Sequence, residues 1–117
     1  MKIVIKAGDK TITARLFDSD AARDFAGQLL PTMTLEDYAG TEKIGYLPKQ
    51  LSTKGAPGGT DPSPGDVTYY APWGNLAIFY KDFGYSRGLI LLGGIDSGGE
   101  ALSRPGSLLV TFERVEQ

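Results

Sequence analysis

The sequence contains neither cysteine nor histidine, and these two absences exclude much catalytic chemistry. Without them the chain cannot build a Ser-His-Asp triad, a thiolate nucleophile or a zinc site with the usual ligands. The lack of cysteine also removes the disulfide framework that would favour secretion. Neither a Walker loop nor a GxGxxG motif follows a strand-like run, so no cofactor is expected.

Long apolar runs and a strong charge of one sign are missing too. No stretch approaches the length of a transmembrane helix, and the start, Met1-Lys2-Ile3, lacks a signal peptide's apolar segment, so we expect a cytoplasmic protein with no membrane partner. The net charge is −2 and the basic residues are scattered, which disfavours nucleic acid as a partner. A chain of 117 residues suits one domain spanning residues 1–117.

The residues that are present predict a mainly β protein with one helix. Sixteen glycines and seven prolines separate short runs of alternating apolar and polar residues. Gly8-Asp9 lies between the first two runs and suits a type II′ hairpin turn. A helix is predicted at about residues 20–30, capped by Ser19 or Asp20 and ended by Pro31, because Ala22, Phe25, Ala26 and Leu29 form one apolar stripe.

The remaining segments are predicted from composition and alternation. Short β runs are expected at 32–36, 44–47, 89–92 and 108–113, with a turn-rich connection at 93–99 and a single helical turn at 100–103. The glycine- and proline-rich loop at 52–65 is either a lid or a disordered tip. Asp61 and Asp66 in this loop are either ligands for a hard cation or turn residues, and turn chemistry favours the second, so no metal site is expected.

The stretch from Gly65 to Tyr80 organises the chain. It holds two strand-like runs around a Pro-Trp-Gly-Asn turn, with the only Trp and the only Asn in the sequence. If Leu76 and Ile78 point into the core, Ala77 and Phe79 point outwards, because side chains alternate along a strand. The residues predicted to be buried are Ile5, Ile12, Ala14, Phe25, Leu29, Leu76, Ile78, Leu91 and Val110.

Three stretches carry a resemblance to a known family: TLEDYAGTEKI (34–44), GDVTYYAPWGNLAIFYKDFGYSRGLI (65–90) and LGGID (92–96). They resemble the bacterial cyclophilin-like proteins of unassigned function, and the resemblance covers nearly the whole chain. It implies a closed cyclophilin-like antiparallel β-barrel of about eight strands, with the helix at about 20–30 and short helical turns. It also implies a groove on the outer barrel face, where Phe79 is similar to the family's aromatic residue. The alternative is that Phe79 packs under a loop.

The sequence departs from the prolyl isomerases of this fold. Those enzymes rely on an arginine after Phe-His, whereas this chain has no such motif, and Arg87 or Arg15 would have to replace it. We therefore expect a ligand- or peptide-binding barrel without efficient catalysis. One alternative is a peptidyl-prolyl cis-trans isomerase with a non-standard site. Another is a structural or partner-binding module, which could dimerise through an edge strand at 108–113.

Six residues are predicted to bind the ligand, which is small or peptidic and could contain proline. Tyr70, Trp73, Asn75 and Phe79 place aromatic rings and one amide beside a tight turn, a combination that suits flat apolar ligands. Tyr85 and Arg87 would form the opposite rim, with the arginine reaching a carbonyl or carboxylate. The alternatives are that Trp73 closes a barrel end and that Arg87 forms a surface ion pair with Asp82. The protein is expected to be a monomer or a homodimer.

Overall fold

Eight antiparallel strands close into a barrel, as the sequence predicted. The computed structural model describes residues 1–28 and 32–115. The barrel strands are β1 (Lys2–Ala7), β2 (Lys10–Leu16), β3 (Met33–Tyr38), β4 (Glu42–Tyr46), β6 (Asp66–Tyr70), β7 (Asn75–Phe79), β9 (Leu89–Ser97) and β10 (Leu108–Val115), and the short strands β5 (Gly59–Thr60) and β8 (Ser86–Arg87) pair with each other outside it. Around the barrel the order is β1-β10-β3-β4-β7-β6-β9-β2.

The first hairpin and the helix form where local sequence signals place them. Ala7 pairs with Lys10 across a two-residue turn in which Gly8 has φ 63°, the left-handed value that glycine adopts easily. Helix α1 spans Asp20–Gly27, and the Ser19 hydroxyl caps it by accepting a hydrogen bond from Ala22 N at 3.1 Å. The predicted end of the helix, with Leu29 and Pro31, lies outside the described residues.

The core fills the barrel interior by strand alternation. Seven of the residues predicted to be buried are so, namely Ile5, Ile12, Ala14, Phe25, Leu76, Ile78 and Val110, and α1 closes over them with Phe25 edge-on to Phe112 at 6.0 Å between ring centroids. The prediction for Leu91 is wrong, because it is only half-buried. Ile90 and Leu92 belong to the interior cluster, so the residue between them points to the other face.

Strand β9 is longer than predicted. The glycine-rich segment at 93–99 was expected to be a turn-rich connection, but the strand continues through it as far as Ser97. A Cβ at Gly93 would lie 1.9 Å from the carbonyl oxygen of Arg15, so this glycine allows the β2 backbone to pass close by. A 3₁₀ helix then spans Gly99–Ser103, matching the helical turn predicted at 100–103.

Strand β10 is not the edge strand that was proposed for dimerisation at 108–113. Leu108 pairs with Leu35 of β3, and Phe112 pairs with Ile5 of β1, so the strand lies between two neighbours. Strand β10 closes the barrel by pairing with β1 on one side and β3 on the other. Closure removes the open sheet edge to which a second copy could add a strand. Residues 108–113 are therefore not a free edge strand, and whether the protein is a monomer or a homodimer stays a prediction.

Part of the long loop at 52–65 is held against the barrel. Strand β5 pairs with β8, and Gly88 N donates to the carbonyl of Gly58 at 2.8 Å. Asp66 accepts a hydrogen bond from Ser63 N at 2.8 Å, as a turn residue does. Within residues 1–28 and 32–115, no cluster of three acidic side chains could hold a metal ion. None of the helices in these ranges has the length and apolar character needed to cross a membrane.

Candidate functional site

The hairpin of β6 and β7 positions the candidate site. Tyr70 pairs with Asn75, which leaves the predicted four-residue turn at 71–74. The carbonyl of Tyr70 accepts hydrogen bonds from Trp73 N at 3.2 Å and Gly74 N at 2.9 Å. Gly74 has φ 69°, a value that a side chain would disfavour. The turn thus fixes the backbone of Trp73 at one end of the hairpin.

Strand β7 presents its two faces to two separate apolar clusters. Leu76 and Ile78 belong to the barrel core, whereas Ala77 and Phe79 join Ile44 and Leu89 in a cluster on the outer face. The register predicted from the sequence is confirmed. The outer cluster forms the floor of a depression between the strands and the segments that follow them.

We call this depression the aromatic groove. Its volume is about 110 Å³, and its lining residues are Tyr38, Glu42, Ile44, Tyr70, Trp73, Asn75, Phe79, Phe83, Ser86 and Leu89. Four of the six residues predicted to bind a ligand meet here: Tyr70, Trp73, Asn75 and Phe79. Their role in binding stays a prediction.

Three of the aromatic rings that line the groove contact one another. Tyr38 pairs with Glu42 at one end of the floor, and Trp73 precedes Asn75 at the other. The rings of Tyr38 and Trp73 nevertheless meet edge to face, with centroids 5.5 Å apart, and Tyr70 contacts Trp73 similarly at 5.4 Å. Trp73 is 50% exposed, so the alternative in which it closes a barrel end is wrong.

Tyr85 and Arg87 lie beside the groove rather than along it. Ser86 lines the groove, and because side chains alternate in β8 its two neighbours point elsewhere. The Tyr85 hydroxyl lies over Gly59, where an added Cβ would be 2.7 Å from it. In the part of the chain that the structure describes, no ion pair joins Arg87 to Asp82. Whether these two residues contact a ligand is untested.

Glu42 is a groove residue that the sequence reasoning missed. It is only 8% exposed and sits opposite Phe79 on the outer face. Its side chain accepts a hydrogen bond from the Thr41 hydroxyl at 3.3 Å, and burial raises the pKa of its carboxyl. Side-chain alternation could have linked Glu42 to the outer cluster, because it places Glu42 on the same face of β4 as Ile44.

Asn75 is buried and incompletely hydrogen-bonded. The residue is 1% exposed, and its Nδ2 donates to the carbonyl of Leu76 at 3.1 Å. Its Oδ1 has no hydrogen-bond partner among the described residues. A buried acceptor left unpaired costs roughly 1–3 kcal/mol, and such groups call for an explanation.

A second polar cluster, which we call the barrel-end cluster, lies on the inner side of β4. Lys43 is 1% exposed, and its Nζ contacts Asp37 Oδ1 at 2.9 Å and donates to the carbonyls of Arg104 and Gly106, both at 2.6 Å. Asp37 also accepts from the Tyr80 hydroxyl at 2.8 Å and from Gly106 N at 2.7 Å.

The bonding of the barrel-end cluster shifts the titration of two of its groups. Hydrogen bonds from Lys43 and Tyr80 lower the pKa of Asp37. Burial and the bond to Asp37 raise the pKa of Tyr80 to about 12. The Lys43 ammonium donates to three acceptors, so all of its hydrogens are bonded within the fold. The barrel-end cluster is therefore explained by its structural role.

The closed antiparallel barrel with a helix packed over its core is a cyclophilin-like architecture. The sequence matches the Cyclophilin-like family over residues 5–113, and the chain belongs to that family. No curated protein matches the chain.

A solved structure supports the same fold. The solution structure of the hypothetical protein AF2241 from Archaeoglobus fulgidus matches with a TM-score of 0.69 and 16% identity, covering 98% of this chain and 95% of that one.

Proposed function

We propose that this protein binds a small ligand in the aromatic groove, and that it does not catalyse prolyl isomerisation efficiently. The observation that carries the proposal is the combination of apolar walls with one buried polar atom that has no hydrogen-bond partner among the described residues, Oδ1 of Asn75. Ligand sites are typically apolar concavities with a few placed polar groups.

The size of the groove supports a small ligand. Pockets for drug-sized molecules occupy roughly 300–1,000 Å³, whereas this groove measures about 110 Å³. It therefore suits one small molecule, or a single side chain of a peptide, better than an extended peptide.

The charge of the groove argues against efficient isomerisation. In that reaction an electropositive donor stabilises the twisted amide, and losing one such donor typically costs about 3 kcal/mol. None of the described residues that line the groove is Arg or Lys, and its charged side chain is the carboxylate of Glu42. An assay with a short proline peptide should give turnover at least roughly a hundredfold below that of an efficient isomerase.

Ligand binding can be tested through Trp73, which is the sole tryptophan. Small amines, alcohols and amides are titrated while the indole N–H resonance of Trp73 is followed in proton–nitrogen correlation spectra. We expect at least one class to shift this resonance in a saturable way. If none of them does, the proposal is wrong.

A matched pair of variants separates binding from stability. Trp73 and Phe17 are 50% and 51% exposed, and Phe17 does not line the groove. Replacing either by alanine should lower the free energy of unfolding by about 2 kcal/mol, since only half of each ring is buried. Ligand-observed NMR should show that Trp73→Ala alone loses binding. Equal binding by both variants would contradict a role for Trp73.

A further inference from the structure

We propose that the ligand of the aromatic groove is a small elongated organic cation, with an ammonium group at Glu42, an apolar middle over the floor and a second N–H or O–H donor at Asn75. This inference rests on the proposed function and adds the chemical class of the ligand. It follows from the charge, the hydrogen-bonding capacity and the spacing of the two buried polar residues.

The charge of the groove favours a cation. Glu42 is the one charged side chain among the described residues that line the groove, and across these ranges it forms no ion pair. Buried charges are normally paired, because an unpaired one loses hydration without compensation. The faces of the surrounding rings are electronegative and attract a cation as well. A ligand ammonium would supply the missing partner.

The hydrogen-bonding capacity of the groove favours a ligand that donates. Oδ1 of Asn75 can only accept a bond, and it has no partner within the described part of the chain. The nitrogen of an X-Pro bond carries no hydrogen, so a prolyl ligand could not satisfy this oxygen through that nitrogen. A ligand with an N–H or O–H group at this position removes the penalty of the unpaired acceptor.

The spacing of the two acceptors requires an elongated ligand. Glu42 pairs with Phe79, and Asn75 lies four positions earlier on the same strand. Four residues of a strand span roughly 13 Å, so the backbone positions that carry the two acceptors lie far apart and a ligand that bonds to both is elongated. Ile44 pairs with Ala77 midway between them and lines the groove with an apolar side chain. Along the groove, therefore, an apolar floor separates two hydrogen-bond acceptors.

Three probes of similar shape test the inference. Protonated aminohexanol carries an ammonium group, an apolar chain and a hydroxyl, whereas hexanol lacks the ammonium and hexylammonium lacks the hydroxyl. Their affinities are measured from the indole resonance of Trp73 at matched ionic strength. We expect aminohexanol to bind at least about tenfold more tightly than hexanol, because a charge-assisted hydrogen bond is worth roughly 1.5–3 kcal/mol. It should also bind more tightly than hexylammonium.

Variants assign each end of the probe. Glu42→Gln keeps the shape of the side chain and should remove the preference for aminohexanol over hexanol. Glu113→Gln, which alters an exposed carboxylate on β10, should leave that preference intact. Asn75→Leu should remove the advantage of aminohexanol over hexylammonium. If Glu42→Gln does not fold, Glu42→Asp replaces it and should reduce the preference by withdrawing the carboxylate.

The outcomes separate this inference from the proposed function. If hexanol binds as tightly as aminohexanol, the inference is overturned while the groove remains a binding site. Equal binding of hexylammonium and aminohexanol would overturn the role of Asn75 and uphold the ammonium site at Glu42. If no probe moves the resonance of Trp73, the inference is overturned. If the wider series of small molecules also fails, the proposed function falls with it.

Discussion

Replacing Lys43 by methionine should remove the centre of the barrel-end cluster while keeping the apolar stem of the side chain. The ammonium group holds three acceptors, namely Asp37 and the carbonyls of Arg104 and Gly106, within 2.6–2.9 Å. Methionine has a similar length and no donor, so the substitution isolates the contribution of the charge and its hydrogen bonds.

The expected loss in the free energy of unfolding is about 3 kcal/mol. Removing one partner of a buried ion pair costs roughly 3–5 kcal/mol, because the other charge is left uncompensated. The lower figure applies here, since the Asp37 side chain is 27% exposed and keeps its bonds from Tyr80 and Gly106. Adding Asp37→Asn to the variant should recover part of the loss, because that change neutralises the stranded carboxylate.

Urea unfolding followed by tryptophan fluorescence gives the measurement, with Lys6→Met as the matched control. Lys6 contacts Glu113 at 3.3 Å, and both side chains are 52% exposed, so breaking that pair should cost under about 1 kcal/mol. The two variants therefore remove the same group from a buried and an exposed ion pair. If Lys43→Met is no more destabilised than Lys6→Met, the barrel-end cluster contributes nothing to stability and the reasoning is refuted.

Three further predictions concern single groups. Folding raises the pKa of Tyr80 to about 12, from about 10 in an unfolded chain, so the free energy of unfolding should fall as the pH rises between these values. A tyrosinate titration in which all the tyrosines ionise together near 10 would contradict this. Because burial raises the pKa of Glu42, Glu42→Gln should stabilise the protein at neutral pH and lose this advantage below about pH 4, whereas Glu113→Gln should change thermal stability little. Gly93→Ala should destabilise by several times more than Gly94→Ala in thermal melts, since an added Cβ meets backbone at 1.9 Å in the first case and only a carbonyl oxygen at 3.7 Å in the second.

Much of the fold was predictable because its signals are local. The first hairpin, the start of α1 and the alternation along β7 depend on turn residues, a cap and a period of two, all visible in the sequence. The strand character of Gly93 was not predictable, since it depends on how closely β2 passes, and a glycine pair alone favours a turn.

The groove residues on the β6–β7 hairpin were predictable, whereas Glu42 was not, because alternation places it on the same face as Ile44 but does not show which face of β4 meets the groove. Tyr70, Trp73, Asn75 and Phe79 stand close together in the sequence, and a single hairpin brings them to one face. Glu42 reaches the groove only through pairing between β4 and β7, which are separated by the long loop at 52–65. Glutamate side chains are also rarely buried, so the general rule for charged residues predicted an exposed Glu42.

Strand β4 contributes to the aromatic groove with one face and to the barrel-end cluster and the core with the other. Glu42 and Ile44 look outwards to the aromatic groove, while Lys43 serves the barrel-end cluster and Gly45 leaves no room for a side chain beside Met33. Inserting or deleting one residue here would exchange the two sets, sending a lysine into the groove and a carboxylate towards the core. If the aromatic groove binds a ligand as proposed, substitutions at alternate positions of β4 can change its preference, whereas a change in the length of the strand would disrupt the core as well.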